Sequence, residues 1–140
     1  MKWYNHVLSN DELKMFIKNA RNGKSGNALI GIVSVTTKKI IKEKTGIDVT
    51  KIILEGSSVI HIDNPKHKLE QDDVEKCVDV INNPVNITLS PERSKQGLNV
   101  LIFEGNINGK IFFVEVVHKK YLGFLTLKTA YRQNKQKKLR

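Results

Sequence analysis

The dipeptide Asn108-Gly109 constrains the fold most, because both residue types adopt the positive φ angles that a type I′ turn requires. It lies between two segments rich in β-branched and aromatic residues, Asn99 to Glu104 and Lys110 to Val117. A two-residue turn between such segments predicts an antiparallel β-hairpin. The segment Phe124 to Tyr131 has a similar composition, so we expect it to add a third antiparallel strand.

The first two thirds of the chain have the spacing of apolar residues that is typical of helices. Asn10 to Arg21 is predicted to be a helix because its apolar residues recur at helical intervals after Ser9 or Asn10, either of which can cap it. Asp72 to Asn83 has a similar stripe and ends before Pro84. A further helix is predicted over Thr36 to Thr45, and short strands over Ala28 to Val35, Lys51 to Leu54 and Val59 to Ile62.

Early helices and late strands together predict an α+β fold, with N-terminal helices packed on a C-terminal antiparallel sheet of about four strands. A chain of 140 residues is long enough for one domain with a real core. We therefore expect a single domain over residues 1–140, with a helical N-terminal extension over residues 1–27 and a basic tail over residues 132–140.

The charge of the chain points to polyanionic partners. Its formal net charge is +10, and the tail carries five basic residues and no acidic one. Such a balance favours nucleic acid first, an anionic membrane second and an acidic inhibitor protein third. A basic protein that is merely soluble fits the same composition, and the tail can equally be a solvated terminus.

Several classes of protein are excluded or disfavoured by what the sequence lacks. No apolar run reaches the length of about 18 residues that a membrane-spanning helix needs, and the N-terminus has no signal-peptide pattern, so we expect a cytoplasmic protein. The single cysteine, Cys77, excludes an internal disulfide and a cysteine-based zinc site, and its place on a helical stripe predicts a packed thiol. The common nucleotide, calcium, zinc-protease and serine-hydrolase motifs are absent, and we expect no cofactor.

The segment around His61 and His67 is the first candidate for chemistry. It places two histidines, a residue type suited to proton transfer near neutral pH, beside Lys66 and Lys68, whose ammonium groups can hold a phosphate. The same pattern fits a polar surface loop. A metal site formed by His61, Asp63 and His67 has suitable ligand types but lacks the spacing of known zinc helices.

The second candidate is the last predicted strand. Side chains alternate along a strand, so Thr129 and Tyr131 are expected on one face, and Lys128, Ala130 and Arg132 on the other. The hydroxyl and the phenol can bind a phosphodiester, and an arginine at the strand end can brace the same oxygens. Threonine and tyrosine are also good strand formers, so a purely structural strand fits equally.

Over about residues 30–135, the order of these features resembles the phage-borne branch of the barnase/EndoU/colicin/RelE-like nuclease superfamily. The likeness is carried by short motifs: the segment Ser34 to Asp48, His61, Lys66-His67, the Asp72-Asp73 helix, the Asn108-Gly109 hairpin and the strand that ends in Thr129-Ala130-Tyr131-Arg132. These domains occur in phage proteins and bacterial toxins. The resemblance implies helices against a four-stranded antiparallel sheet and a metal-independent ribonuclease, acting in the cytoplasm of a host cell.

The resemblance also implies the site residues. His61 and Lys66-His67 match the histidines of the family, and Thr129 with Tyr131 matches its T-x-Y motif. Because RNA carries its own nucleophile in the 2′-hydroxyl, the protein has to supply a base, an acid and groups that hold the phosphate. The histidines are the expected base and acid. The expected phosphate-binding residues are Lys66, Thr129, Tyr131, Arg132 and Lys128.

Three interpretations therefore remain after the sequence is read. The first is a ribonuclease of the toxin or phage type that cleaves tRNA or another RNA, and whose inhibitor, if one exists, carries an acidic surface. The second is a catalytically inactive module that binds RNA or DNA. The third is a phage interaction domain whose basic surface docks on an acidic protein.

Overall fold

The structure, a computed structural model, describes residues 5–63, 69–70, 72–90, 100–119 and 123–132. Within those residues the chain forms four helices and six strands. The helices are α1 (Asn10–Arg21), α2 (Val35–Thr45), α3 (Gly56–Ile62) and α4 (Asp73–Asn82). The strands are β1 (Asn27–Ile32), β2 (Lys51–Glu55), β3 (Asn86–Leu89), β4 (Val100–Ile107), β5 (Lys110–Lys119) and β6 (Phe124–Arg132). The fold is α+β, as the sequence predicts.

The sheet differs from the expectation of about four antiparallel strands. The described strands form one six-stranded sheet in the order β1-β2-β6-β5-β4-β3. The sheet is mixed, because β2 pairs with β6 in parallel, from Lys51 opposite Phe124 to Leu54 opposite Leu127. This pairing joins strands that are far apart in the chain, and local sequence patterns carry no signal for it.

The β4–β5 hairpin confirms the prediction made from Asn108-Gly109. Asn108 has a φ of 53° and Gly109 a φ of 81°, so both lie in the left-handed region that a type I′ turn uses. The two strands then pair in register from Ile107 opposite Lys110 to Val100 opposite Val117. The turn therefore sets which residues of β4 and β5 share a face.

The predictions for α1 and α4 are also confirmed, and α1 has the bounds that the periodicity predicts. Its N-cap is Ser9, whose hydroxyl accepts a hydrogen bond from the backbone N–H of Glu12, while the Glu12 carboxylate accepts one from the Ser9 N–H. This reciprocal pair is a capping box. Helix α2 is capped by Ser34 and ends at Gly46, which has a φ of 76°.

Two strand predictions are wrong in part or in full. Val59 to Ile62 is not a strand but the second half of α3, which begins immediately after β2. Val59 and Ile62 lie three residues apart and are both buried, so the helix turns its apolar side inwards although both residues are β-branched. The strand predicted to reach Val35 ends at Ile32, because Ser34 caps α2.

The core lies between the sheet and the helices α1, α3 and α4. Buried residues of these helices belong to the same hydrophobic cluster as one face of β5 and β6. We call that side the helix-covered face; its buried residues on β5 and β6 are Phe112, Val114, Val116, Leu125, Leu127 and Ala130. The register puts His118 and Arg132 on the same side. The other side, which we call the opposite face, comprises on these strands Phe113, Glu115, Val117, Phe124, Thr126, Thr129 and Tyr131, and Phe124 forms a small buried cluster there with Leu29 and Ile53.

Candidate functional site

Strand β6 carries most of the described candidate residues. Thr129 lies opposite Glu115 of β5, and Tyr131 lies opposite Phe113. The rings of Tyr131 and Phe113 are stacked, with centroids 5.4 Å apart and an angle of 22° between their planes. Thr129 and Tyr131 therefore share one face of the sheet, and two residues of β5 accompany them there.

Lys128 is the extra residue of a β-bulge. The register moves from Val116 opposite Leu127 to Glu115 opposite Thr129, so that Lys128 has no partner position on β5. It is also the one exposed side chain of β6. A bulge commonly redirects a side chain or interrupts pairing, and bulges are frequent beside functional sites. The ammonium group of Lys128 therefore stands at an irregular point of the strand and not in its regular alternation.

The second half of β6 extends past its neighbour on one side. The pairing of β2 with β6 ends at Leu127, and the chain then turns from β2 into α3 at Gly56. Among the described residues, no strand pairs with β6 on that side beyond Leu127. Tyr131 and Arg132, which are both partly exposed, lie in this overhanging segment.

The polar residues in the middle of the opposite face are buried. The exposed fraction is 1% for Glu115, 3% for Thr126 and 6% for Thr129. In the part of the chain that the structure describes, the hydroxyl oxygens of Thr126 and Thr129 have no hydrogen-bond partner. A buried hydroxyl that lacks a partner costs free energy, so these positions are not explained by stability alone.

Sequence reasoning did not select Glu115 or Phe113 as functional residues. The alternation of Phe113, Val114, Glu115 and Val116 around the hairpin turn was the signal that could have found them, because it places the two odd-numbered residues on one face. That this face meets Thr129 and Tyr131 depends on the pairing of β5 with β6 and on its bulge. The alternation therefore predicts that Phe113 and Glu115 share a face, but it does not predict that Tyr131 and Thr129 lie opposite them.

His61 lies on the other side of the sheet from Thr129 and Tyr131. It stands in the last turn of α3 and is exposed, whereas Val59 and Ile62 of the same helix belong to the core of the helix-covered face. Helix α3 packs against β6, so His61 is carried by an element next to the strand. The structure thus brings Thr129 and Tyr131 together on one face and places His61 on the helical side.

A bidentate ion pair holds the end of α3. Nε of Arg21 lies 2.9 Å from Oδ2 of Asp63, and Nη2 of Arg21 lies 2.9 Å from Oδ1 of Asp63. This hydrogen bond to Asp63 raises the pKa of Arg21. The pair joins the C-terminal ends of α1 and α3, so it fixes the point from which the chain continues towards His67.

Lys66 and His67 lie outside the described residues, as does the part of the basic tail after Arg132. Their expected roles stay predictions. In the metal site considered above, Asp63 was the carboxylate ligand, and in the structure both of its carboxylate oxygens are used in the ion pair with Arg21. Within the described ranges no group of three or more histidine, cysteine or acidic side chains is arranged to hold a metal ion.

Cys77 is fully buried in the core, as a packed thiol on a helical stripe should be. Burial raises the pKa of its thiol far above the ordinary value, and the carboxylate of Asp73 contributes in the same direction. The thiol therefore stays protonated and is unsuited to nucleophilic attack.

Two surface cavities lie away from these residues. One, of 420 Å³, is formed by α1, α4 and β1, and the other, of 360 Å³, lies between α2 and the start of β3. None of the candidate residues on β6 or α3 lines either cavity. The candidate site is therefore on the sheet and at its edge, not in these cavities.

Comparison of the chain with models of protein families, with curated proteins and with solved structures finds no match. In the part of the chain that the structure describes, no helix is long and apolar enough to cross a membrane.

Proposed function

We propose that the protein binds RNA and cleaves its phosphodiester bonds without a metal ion, by attack of the 2′-hydroxyl on the neighbouring phosphate. The observation that supports this most is the overhanging second half of β6. There a bulged lysine, a partly exposed tyrosine and a partly exposed arginine lie on a part of β6 with which, among the described residues, no strand pairs on one side. Cations beside an aromatic ring are the groups that hold a nucleic-acid strand.

The positive charge of the whole chain also supports a nucleic-acid partner. A net charge of +10 raises the local concentration of polyanions around the protein and speeds their association. Lys128 and Arg132 are the described side chains that we propose to contact phosphate directly, with Lys66 as a third. Each contact with single-stranded RNA should steepen the salt dependence of log K by about 0.7.

In the proposed reaction, His61 and His67 serve as the general acid and the general base, as the resemblance to the nuclease superfamily implies. One histidine removes the proton of the 2′-hydroxyl, and the other protonates the 5′ oxygen that leaves. The product is a 2′,3′-cyclic phosphate. Tyr131 and Thr129 lie on the other side of the sheet from His61, so we propose that they bind the RNA backbone beside the reacting phosphate and not the same phosphate as the His61 imidazole. The hydroxyl of Thr129, which is 6% exposed, has to be uncovered before it can touch substrate.

Incubation of the purified protein with total tRNA in the presence of EDTA tests this proposal. We expect discrete RNA fragments with cyclic phosphate ends, and intact single-stranded DNA, because DNA lacks the attacking hydroxyl. His61→Ala and His67→Ala should each lower the rate by about 10²–10⁴. Two histidines acting as acid and base also predict a bell-shaped dependence of rate on pH.

The matched control is His6→Ala. His6 is an exposed histidine whose Nε2 lies 2.9 Å from Oε1 of Glu12 near the start of α1, away from β6. Its replacement should leave the rate unchanged. RNA that stays intact but is bound would contradict cleavage and favour the inactive binding module. A protein that neither cleaves nor binds nucleic acid would favour the interaction domain that docks on an acidic protein.

A further inference from the structure

We propose that the outer edge of β3 is a docking site for a partner protein, which adds an extended acidic segment to the sheet as a further strand. This edge lies at one end of the strand order, beside the 360 Å³ cavity between α2 and the start of β3. None of the described residues proposed for RNA cleavage lies on β3 or lines this cavity, so the inference goes beyond the proposed function.

The backbone of β3 has hydrogen-bonding groups that point away from the sheet. Just after β3, the N–H of Ser90 donates to the carbonyl oxygen of Val100 at 2.9 Å. Bonds alternate along an antiparallel pair, so Thr88 bonds to β4 as well, whereas the N–H and C=O groups of Ile87 and Leu89 point outwards. Within the described residues, no backbone group bonds to these outward groups. An added strand can therefore form up to about four backbone hydrogen bonds here.

The other edge of the sheet, which β1 forms, is covered in the structure. The N–H of Leu8 donates to the carbonyl oxygen of Leu29 at 3.0 Å, and Val7 forms a parallel bridge with Leu29. The side-chain amide of Asn82 donates to the carbonyl oxygen of Ile30 at 3.3 Å. Folded proteins commonly protect a free edge with a covering segment, lysine or proline, and β3 contains neither lysine nor proline. The edge of β3 is thus the one that is suited to pair with another chain.

The cavity beside β3 offers room for the side chains of an added strand. Its apolar wall includes Ile40 of α2 and Ile87 of β3. Val85, which also lines it, is 67% exposed. Alternate side chains of a strand point to the same side, so every second side chain of the added strand would enter the cavity. We therefore expect small apolar or β-branched residues at alternate positions of the partner segment.

The charge of α2 favours an acidic partner. This helix carries four lysines and a single carboxylate, Glu43. Lys42 forms an ion pair with Asp48 at 3.0 Å, whereas Lys44 lines the cavity and forms no ion pair with a described residue. An acidic segment is attracted to Lys44 and to the net charge of +10. A second copy of the chain would bring the same lysines to the interface, which like-charge repulsion disfavours.

A fluorescent octapeptide of alternating glutamate and valine, with blocked ends, is the probe for this edge. Fluorescence anisotropy measures its binding to the full chain. The control peptide has lysine in place of each glutamate and should bind about tenfold more weakly or not at all. Binding of the acidic peptide should also weaken as the salt concentration rises, because salt screens the attraction between exposed charges.

Amide hydrogen exchange measured by NMR locates the bound peptide. The N–H groups of Ile87 and Leu89 should exchange about two- to tenfold more slowly with saturating acidic peptide, because the peptide supplies acceptors for them. The N–H of Thr88 already bonds to β4 and should change less. Single-stranded 2′-O-methyl RNA has no peptide backbone to pair with β3, so it should leave both outward amides unchanged.

Two pairs of variants separate backbone pairing from charge. Leu89→Pro removes an outward N–H and keeps the bonds to β4, so it should bind the acidic peptide about two- to tenfold more weakly than Leu89→Ala, which keeps that N–H. Lys44→Glu should weaken binding by a similar factor. Lys18→Glu makes the same change at an exposed position of α1 and should have much less effect. Urea unfolding verifies that each variant is folded, and Lys44→Glu with the exchange data decides the matter if Leu89→Pro is not.

Several results would overturn the inference. Absence of binding, or equal binding of the acidic and basic peptides, would exclude an acidic partner at this edge. Unchanged exchange of both outward amides in the complex, or equal affinities of Leu89→Pro and Leu89→Ala, would exclude strand addition. Without peptide, slow exchange that depends on protein concentration would assign the edge to a second copy, and slow exchange at every concentration would assign it to another segment of this chain. Slowing of the same amides by RNA would assign it to nucleic acid.

Discussion

On β5 and β6 the buried side chains that point towards the helices are apolar, whereas the side chains that point the other way include a carboxylate, two threonine hydroxyls and a stacked aromatic pair. The same backbone serves both sides, since side chains alternate along a strand. Packing therefore selects the residues of the helix-covered face. The opposite face is also buried in its middle, but it holds polar side chains beside the buried Phe124, and Thr129 and Tyr131 lie there.

The largest expected difference in stability between the two faces concerns the neighbouring phenylalanines of β5. Phe112 is fully buried on the helix-covered face, so Phe112→Ala should lower the free energy of unfolding by about 3–5 kcal/mol. Phe113 is partly exposed on the opposite face, and Phe113→Ala should cost less, because it loses about 0.5–1.5 kcal/mol from the aromatic pair and only a part of the buried area that Phe112→Ala loses. Urea unfolding measures both, and equal costs would contradict the distinction between the faces.

The next test adds one methyl group to the helix-covered face. A Cβ at Gly105 would lie 2.5 Å from Cγ2 of Val80 in α4, so Gly105→Ala should cost about 1–3 kcal/mol through overpacking. Asn106 follows it, is exposed and points to the other face, and Asn106→Ala should change stability by less than about 0.5 kcal/mol. Thermal unfolding compares the two variants. A harmless Gly105→Ala would mean that α4 packs on the sheet less closely.

A smaller effect is expected from the cap of α1, one of the helices that cover the sheet. Ser9→Ala removes the hydroxyl that accepts from the Glu12 N–H, and should lower stability by about 1 kcal/mol. Ser9→Asp keeps an acceptor at the N-cap and should retain most of the stability. If both substitutions cost the same, the capping box would not contribute to the helix.

The same capping box predicts a dependence of stability on pH. Hydrogen bonding, first from the backbone N–H of Ser9 and then from His6, lowers the pKa of Glu12 in the folded protein. A lowered pKa contributes stability above the ordinary pKa of glutamate, and this contribution is lost as the pH falls through the lowered value. Urea unfolding between pH 7 and pH 3 should therefore show a smaller loss for Glu12→Gln than for the unsubstituted chain. An unchanged loss would contradict the assignment.

The smallest expected change in stability is at Thr129 on the opposite face. Its buried hydroxyl has no hydrogen-bond partner among the described residues, and valine has nearly the same shape, so Thr129→Val should leave the free energy of unfolding unchanged or raise it slightly. The proposed function nevertheless expects this variant to lose RNA cleavage. Unchanged cleavage would show that the threonine hydroxyl takes no part in the reaction. A large loss of stability in Thr129→Val would show that the Thr129 hydroxyl has a hydrogen-bond partner in the folded protein.

The elements that the sequence predicted best are those with local causes. The bounds of α1 follow from its apolar spacing and from Ser9, and the β4–β5 turn follows from Asn108-Gly109. Helix α3 was missed because Val59 to Ile62 is short and β-branched, which is typical of a strand. Strand β3 was missed as well, since Asn86–Leu89 has only four residues and pairs along one edge.

In the candidate site, too, only the features with local causes could be predicted from the sequence. Alternation along β6 suffices to place Thr129 and Tyr131 on one face, because it is a property of any strand. It does not reveal that Glu115 and Phe113 lie opposite them, that Lys128 occupies a bulge or that His61 stands on the helical side. These relations depend on which strands pair and on where α3 packs.

The amino-acid sequence by itself determined the helix ends, the hairpin turn, the side of each strand and the basic charge, since each depends on residues within a few positions or on composition. Only the tertiary structure decided the six-strand order, the parallel pairing of β2 with β6 and the faces on which the candidate residues meet. Those features join segments tens of residues apart in the chain, and they form because packing of the whole core, not local preference, has the lowest free energy.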